Sequence, residues 1–263
     1  MKKPKPFFEQ RRERRGVLRT GLALAAGGAL AGCDALSHND TAVEVLRSAE
    51  KLNNALHRTL GRRAMAQEFS ASEIAPKFRP NGTTMPMGEA YASLLATGFA
   101  DWRLQVDGLV AAPLELSLAQ LQAMPTRTQI TRHDCVEGWS CIGQWKGVRL
   151  SHLLNLAQIG PEAKFAVFHC LDQMEKDDDD SMYYESVDLD DAFHEQTILA
   201  WELNGKPLPV ENGAPLRARI ERQLGYKQPK YLYRVELVDS FDEISGGKGG
   251  YWEDQGYNWY GGI

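Results

Sequence analysis

The chain has 263 residues, of which 43% are hydrophobic and 25% are charged. That hydrophobic content can fill the core of one large domain or two small ones and excludes a disordered protein. The formal charge is -5, but residues 1–32 hold eight Lys or Arg against two Glu, so the remainder carries 22 basic and 33 acidic residues, or -11. Because this acidic balance repels phosphate backbones, we expect no nucleic-acid partner.

Residues 1–32 have the features of an export signal. The apolar stretch Gly21–Ala31 is too short and too rich in Gly and Ala to anchor the chain permanently in a bilayer. It follows Arg14-Arg15-Gly16-Val17-Leu18-Arg19, which resembles a twin-arginine signal with Glu13 in the place of the usual Ser or Thr. Such a signal implies export of a protein that has already folded around a cofactor.

The run Leu30-Ala31-Gly32-Cys33 resembles a bacterial lipobox, in which Cys33 becomes lipidated after cleavage. Acyl chains on Cys33 would hold a soluble domain at a membrane surface. Asp34 resembles the signal that retains some lipoproteins at the inner membrane. We therefore expect a periplasmic protein with a lipid anchor in the inner membrane. The alternative is an ordinary cleavage region with an incidental cysteine.

Residues 33–75 are predicted to form a lipid tether and a helical arm. Thr41-Ala42-Val43-Glu44 has the form of a capping box, and apolar residues follow at helical spacing until Gly61, which predicts a helix over 42–60. Residues 76–90 are rich in Pro and Gly and predict a coil.

Residues 76–245 are predicted to form the main domain, of α+β class, because short strands alternate irregularly with short helices. The predicted strands cover 102–106, 129–132, 163–169 and 231–238, and the predicted helices begin at Ser117 and span 150–159. The acidic run 175–180 is predicted to be a solvated loop, with a calcium site or a docking surface as alternatives. Residues 246–263 interleave Gly with aromatics and predict a tail wrapped over the domain, with the lining of a substrate entrance as an alternative role.

Cys135 lies in Arg132-His133-Asp134-Cys135-Val136-Glu137-Gly138-Trp139-Ser140. A thiolate is the protein ligand that best suits a soft transition metal. Without Cys33, three cysteines remain, so at least one of Cys135, Cys141 and Cys170 is unpaired in an oxidising compartment. A disulfide between Cys141 and Cys170 stays open, as do a zinc site built with the histidines and a Cys-His nucleophile, although the spacing supports neither of the last two.

The Cys135 segment is similar to the metal-binding segment of the sulfite-oxidase superfamily of molybdopterin enzymes, in particular the branch of the periplasmic methionine-sulfoxide reductase catalytic subunits. The similarity extends over residues 100–240 and includes two further blocks, Asn212-Gly213-Ala214-Pro215-Leu216-Arg217 and Gly225-Tyr226-Lys227-Gln228-Pro229-Lys230. It implies a sulfite-oxidase-type molybdopterin-binding domain with a molybdopterin cofactor.

The resemblance also implies roles for single residues. Cys135 would be the molybdenum ligand and the catalytic residue, and Asn212 and Arg217 would bind the cofactor. Cys170 falls where the reductase branch has a cofactor-contacting threonine, and Asn81 stands in for an N-terminal asparagine that touches the pterin. The cofactor phosphate would be held by the turn Gly225, Tyr226, Lys227, Gln228, Pro229 and Lys230.

The predicted activity is reduction of an S-oxide or N-oxide by oxygen-atom transfer. Glu137 and Trp139 follow the cysteine where sulfite oxidases place arginines, and a carboxylate there disfavours a sulfite dianion. The family implies a membrane cytochrome b as electron donor and a small or methionine-sulfoxide-type substrate. The alternatives are sulfite oxidation and a cofactor-free lipoprotein that acts as a binding module.

Overall fold

The computed structural model describes residues 39–61, 64–175 and 181–263. The chain divides into two compact units, residues 1–56 and residues 57–263. The predicted export signal, Cys33 and most of the acidic run at 175–180 lie outside the described residues, so their roles stay predictions. Within the described part of the chain, no helix is long and apolar enough to span a bilayer.

The described residues form six α-helices and ten strands. The helices are α1 Asp40–Leu60, α2 Glu89–Ala96, α3 Leu118–Gln122, α4 Leu150–Ala157, α5 Leu189–Ala192 and α6 Tyr251–Asp254. The strands are β1 Arg103–Gly108, β2 Leu114–Ser117, β3 Thr126–Cys135, β4 Trp139–Arg149, β5 Phe165–Gln173, β6 Met182–Asp188, β7 Ile198–Leu203, β8 Lys206–Pro207, β9 Arg217–Arg219 and β10 Leu232–Val238. The predicted α+β class is confirmed.

The strands of the second unit form two sheets of five strands. In the first sheet the order is β2-β1-β10-β5-β6, and β1 runs parallel to β10 while the other pairs are antiparallel. In the second sheet the order is β3-β4-β7-β8, and β9 pairs with β7. The larger hydrophobic cluster takes residues from both sheets, including Val106 of β1, Phe168 of β5, Val148 of β4 and Trp201 of β7. Burial of these apolar faces is the main stabilising contribution to the unit.

Most of the elements predicted from local patterns are present. The structure has a helix at 40–60, and Ser117 caps α3 with the reciprocal hydrogen bonds of a capping box, since its hydroxyl accepts from the Gln120 N–H at 3.2 Å. The predicted coil at 76–90 is irregular until α2 begins at Glu89.

Local sequence patterns predicted β1, β3, β5 and β10 but not β2, β4, β6, β7, β8 or β9. Strand β4 contains two glycines, which lower strand propensity, but both mark a close approach of neighbouring groups. A Cβ at Gly147 would lie 2.0 Å from the Leu199 carbonyl oxygen of β7, and one at Gly143 would lie 2.8 Å from the Phe78 ring. These glycines therefore allow the sheet to form rather than interrupting it.

Candidate active site

Cys135 is the last residue of β3, at the tip of the β3–β4 hairpin. The hairpin turn places Cys135 opposite Trp139, and Gly138 adopts a positive φ of 83° that an L side chain would strain. Because alternate residues of a strand share a face, Cys135 projects from the same face as the buried His133 and Thr131. The strand therefore directs the thiol toward the interior side of the second sheet.

The environment of the Cys135 thiol is partly buried and rich in backbone donors. Burial raises the pKa of Cys135, while hydrogen bonds from the backbone N–H groups of Glu137 and Val136 act in the opposite direction. The raised pKa indicates a thiol that needs a cation to become a thiolate. A bound metal supplies that charge, since a coordinating thiol loses its proton.

A cavity of about 210 Å³ opens beside Cys135. Seven of the residues predicted from the sequence line it: Asn81, Cys135, Gly225, Tyr226, Gln228, Pro229 and Lys230. The structure thus brings together three segments that are far apart in the sequence. Cys170, Asn212, Arg217 and Lys227 do not line the cavity, and each of them is buried.

The ammonium of Lys230 is occupied by backbone carbonyls. It donates to the carbonyl oxygens of Asn81 at 2.6 Å, Glu211 at 3.1 Å and Thr83. Burial and the nearby Arg217 lower the pKa of Lys230 to about 7. Lys230 therefore holds the 81–83 segment against the cavity, and the phosphate contact expected of it stays a prediction.

Asp172, on β5, is an acidic residue whose charge interacts with that of Lys230. It lines the cavity, is 4% exposed and has no hydrogen-bond partner for its Oδ1 atom. Burial raises its pKa to about 6, against the opposing charge of Lys230. Cys170 precedes it on the same face of β5, and burial keeps the pKa of that thiol well above its usual range.

Lys227 forms a buried cluster with two carboxylates. Its ammonium contacts Glu185 and lies 2.7 Å from Glu253 Oε1, and all three side chains are at most 1% exposed. Two acids share one cation in a dry interior, so burial and the Glu253 charge raise the pKa of Glu185 well above its usual range. Lys227 therefore links β6, the predicted cofactor turn and helix α6.

Arg217 is a fully buried residue of β9 that is hydrogen-bonded to the cavity wall through Gln228. Its Nη1 donates to the Asn212 carbonyl at 3.0 Å and its Nη2 to the Gln228 carbonyl at 3.2 Å, while its Nε has no partner. Burial and the neighbouring Arg219 lower its pKa to about 9. The Asn212 side-chain nitrogen, also buried, has no partner either.

A buried polar network that was not predicted from the sequence adjoins the β3–β4 hairpin. His133 Nδ1 lies 3.0 Å from Arg219 Nη1, and Arg219 pairs with Glu221 at 2.6 Å with both side chains fully buried. Since arginine can only donate, Nδ1 must accept, and the neutral ring carries its hydrogen on Nε2. A Cβ at Gly225 would lie 2.6 Å from this Nε2, so glycine is required for the cofactor turn to approach His133. The alternation of polar residues on the buried face of β3 was the signal available in the sequence.

The residues around the cavity fit a polar heterocyclic cofactor with an anionic tail. Buried polar groups are normally hydrogen-bonded, yet several side-chain atoms in this region lack a protein partner. They include the donors Asn212 Nδ2 and Arg217 Nε and the acceptors Asn81 Oδ1, Asp172 Oδ1 and Gln228 Oε1. Within the described residues, no group of three or more His, Cys, Asp or Glu side chains is placed to hold a metal ion. Cys135 lines the cavity, and its role as a metal ligand stays a prediction.

Comparison with known proteins identifies the family. Residues 92–243 match the model of the oxidoreductase molybdopterin binding domain, which is more than half of the chain. The chain belongs to this family. It is therefore a molybdopterin-dependent oxidoreductase with a sulfite-oxidase-type fold, as the resemblance of its Cys135 segment implied.

Two relatives are similar over much of the chain. A putative protein-methionine-sulfoxide reductase subunit YedZ1 from Azospira oryzae is 35% identical over 253 residues, which is 95% of this chain and 87% of the relative. The protein-methionine-sulfoxide reductase catalytic subunit MsrP from Campylobacter jejuni is 31% identical over 181 residues, which is 65% of this chain and 61% of MsrP.

A solved structure shares the fold. The sulfane dehydrogenase SoxCD from Paracoccus pantotrophus superimposes with a TM-score of 0.51 at 22% identity. The match covers 70% of this chain and 48% of the SoxCD chain.

Proposed function

We propose that this oxidoreductase reduces S-oxides, with methionine sulfoxide as the leading substrate and N-oxides as a second class. One observation carries the proposal: the cavity at Cys135 is lined by two carboxylates, Glu137 and Asp172, and by a Lys230 ammonium that three carbonyls already occupy. Such a lining favours a neutral substrate. The names of the two relatives, both methionine-sulfoxide reductase subunits, support the same substrate class.

The acidic lining also weighs against sulfite. Two unit charges about 4 Å apart repel by about 4 kcal/mol at an effective dielectric constant of about 20, and sulfite carries up to two negative charges. Arg79 is the basic residue near Glu137, at 3.9 Å, and its guanidinium also stacks on the Trp139 ring at 4.7 Å. Glu137 is thus partly neutralised at the rim, but no described cation on the lining is left to attract an anion.

In the proposed arrangement, Cys135 binds molybdenum, and Asn212 and Arg217 bind the pterin or its phosphate through Nδ2 and Nε, two buried donors that lack a hydrogen-bond partner. The turn from Gly225 to Lys230 contributes backbone groups and wall surface, because its two ammonium groups are engaged elsewhere. Asn81 and Cys170 complete the predicted contacts. A phosphate held by a guanidinium and neutral donors is well matched in charge and geometry.

Reduction of an S-oxide consumes two electrons and two protons and releases a thioether and water. When bound, the molybdenum cofactor supplies the oxygen-atom transfer and the two electrons. The chain orients the cofactor, shapes the cavity and offers Asp172 as a proton source. Electrons would come from a membrane cytochrome b. Export by the twin-arginine route and lipidation of Cys33 would place the enzyme at the periplasmic face of the inner membrane, close to that donor.

The test combines metal analysis with a matched pair of cysteine variants. Protein exported by its own pathway should contain about one molybdenum per chain and reduce methionine sulfoxide with a reduced dye as donor. Cys135→Ser should abolish turnover while leaving the fold intact. Cys141→Ser is the matched control, since Cys141 is a free, buried thiol on β4 that does not line the cavity, and it should remain active.

Three outcomes would contradict this assignment. A protein that folds normally without molybdenum or pterin would support a binding module instead. Turnover retained by Cys135→Ser would refute the ligand role. Oxidation of sulfite with no reduction of any S-oxide or N-oxide would support the sulfite-oxidising alternative. The intact mass of the mature N-terminus tests the anchor, and a free, unmodified N-terminus would exclude it.

A further inference from the structure

The C-terminal tail, residues 246–263, supplies part of the cavity wall. Trp252 and Tyr257 both line the cavity that Cys135 opens into. The family match ends at residue 243, so the tail lies beyond the part of the chain that defines the family. The cofactor assignments make no use of these two aromatic residues.

Several hydrogen bonds along its length hold the tail in place. Near its start, Glu253 is 1% exposed and accepts a hydrogen bond from the Lys227 ammonium at 2.7 Å. Near its end, the Gly261 carbonyl accepts from the Leu224 N–H at 2.8 Å. Both partners belong to or adjoin the predicted cofactor turn. The tail is therefore a fixed wall beside that turn.

A sharp turn within the tail brings its two cavity-lining rings together. Gly256 adopts a positive φ of 101° after α6, and the Tyr257 N–H then donates to the Trp252 carbonyl at 2.9 Å. The Trp252 and Tyr257 ring centroids lie 5.3 Å apart, and Tyr226 meets Tyr257 edge-on at 5.5 Å. Trp252 packs against the hydrophobic core, whereas Tyr257 is 44% exposed at the rim. Three aromatic rings thus line one side of the cavity.

Aromatic faces suit the reacting end of a dialkyl sulfoxide. The sulfur of a sulfoxide carries partial positive charge, and the face of an aromatic ring is negative. Sulfur and its adjacent methyl or methylene groups make favourable contacts with aromatic rings, each of modest energy. A substrate whose sulfur and alkyl groups rest on this wall can direct its oxygen toward the Cys135 side of the cavity.

We propose that Trp252 and Tyr257 form the substrate-recognition wall of this enzyme and bind the sulfur and neighbouring alkyl groups of a dialkyl sulfoxide. The inference rests on the proposed function in that it assigns the substrate-binding surface of the same site. The tail would thus determine which sulfoxide substrates bind, while the residues already named would bind the cofactor.

The test compares two replacements at each position of the holoenzyme. Tyr257→Leu and Trp252→Leu remove the ring but keep an apolar side chain, whereas Tyr257→Phe and Trp252→Phe keep a ring. Affinity is measured by titration calorimetry with a short peptide that contains methionine sulfone, which has the S-oxygen group but is not reduced. The kcat/KM for the corresponding methionine-sulfoxide peptide is measured in parallel, with molybdenum content and melting temperature as controls.

The two Leu variants should bind the sulfone peptide about 3- to 10-fold more weakly and lose a similar factor in kcat/KM. The two Phe variants should stay within about 2-fold of the parent chain, and all four should keep their molybdenum. Because Tyr257 is exposed, its variants will fold even if those at Trp252 do not. If the Leu variants bind the sulfone peptide as tightly as the parent, the proposed role of Trp252 and Tyr257 in substrate recognition is refuted. If the parent reduces no S-oxide while its sulfone affinity still depends on the rings, the proposed function fails and the wall stands.

Discussion

The buried cluster of Lys227, Glu185 and Glu253 offers the sharpest test of how the tail and the cofactor turn are held together. Replacing Lys227 by Met keeps an unbranched side chain of similar length but leaves two carboxyls facing each other, each at most 1% exposed. Removing one partner of a buried ion pair costs about 3–5 kcal/mol, since the remaining charge has lost its compensation. For a domain of about 200 residues this corresponds to a fall in melting temperature of about 6–20 °C.

The pH dependence of this loss has a defined sign. Burial and the neighbouring carboxylate already raise the pKa of Glu185, and loss of the ammonium raises it further. A carboxyl with a raised folded-state pKa contributes stability below its unfolded pKa of about 4.5, and that contribution is lost as pH rises through the folded-state value. The deficit of Lys227→Met relative to the parent chain should therefore grow from pH 5 to pH 8.

Urea unfolding of both proteins across that pH range measures the effect. Lys206→Met is the control, because Lys206 is an exposed lysine on β8, and it should change the free energy of unfolding by less than about 0.5 kcal/mol. A Lys227→Met variant within about 1 kcal/mol of the parent at pH 8, or one whose deficit shrinks as pH rises, would refute the assigned cluster. Molybdenum content is followed in the same samples because Lys227 lies in the predicted cofactor turn.

Three further changes probe the cavity. Asp172 has a pKa of about 6 and loses its proton as pH rises through that value, so kcat/KM for the S-oxide should fall above about pH 6. The Asp172→Asn variant should not show this fall. A parent profile that is flat from pH 5 to 7 would contradict the role of Asp172 as proton source. Gly225→Ala should destabilise the chain by about 1–3 kcal/mol and lower its molybdenum content, since the added Cβ would lie 2.6 Å from His133 Nε2. Gly88→Ala is the control, because its added Cβ would make only ordinary contacts. Equal melting temperatures for Gly225→Ala and Gly88→Ala would disprove the clash with His133. Cys170→Thr should keep the fold and retain the cofactor at least as well as the parent, because a hydroxyl donates more strongly than a thiol that burial keeps protonated; a drop in molybdenum content would show that the contact does not exist.

Local patterns in the sequence were sufficient for the elements that depend on neighbouring residues. The Ser117 cap, helix α1 and strand β10 follow from capping and periodicity, which act over a few residues. Strand β4 was not predicted because its two glycines lower the strand propensity of the segment. Only the position of β7 shows that Gly147 has no room for a Cβ.

The molybdopterin cofactor was also predicted from the sequence, because the family blocks determine the cofactor, while the metal-ligand role of Cys135 stays a prediction. The contacts that the basic residues make were not predicted from the sequence. Lys227 and Lys230 were expected to hold a phosphate, which stays a prediction, and their ammonium groups contact Glu185 and Glu253 and backbone carbonyls, respectively. Those partners come from distant segments, so the competition for each donor exists only after folding.

The sequence by itself determined the α+β class and the molybdopterin family, since each is encoded in local patterns and short blocks of contiguous residues. Tertiary structure alone decided that Asp172 and the aromatic tail line the same cavity as Cys135, and that Asn212 Nδ2 and Arg217 Nε are buried donors without a hydrogen-bond partner. The physical reason is that burial and hydrogen-bond partnership are properties of the folded assembly of segments, and a side chain's charge state and availability follow from them.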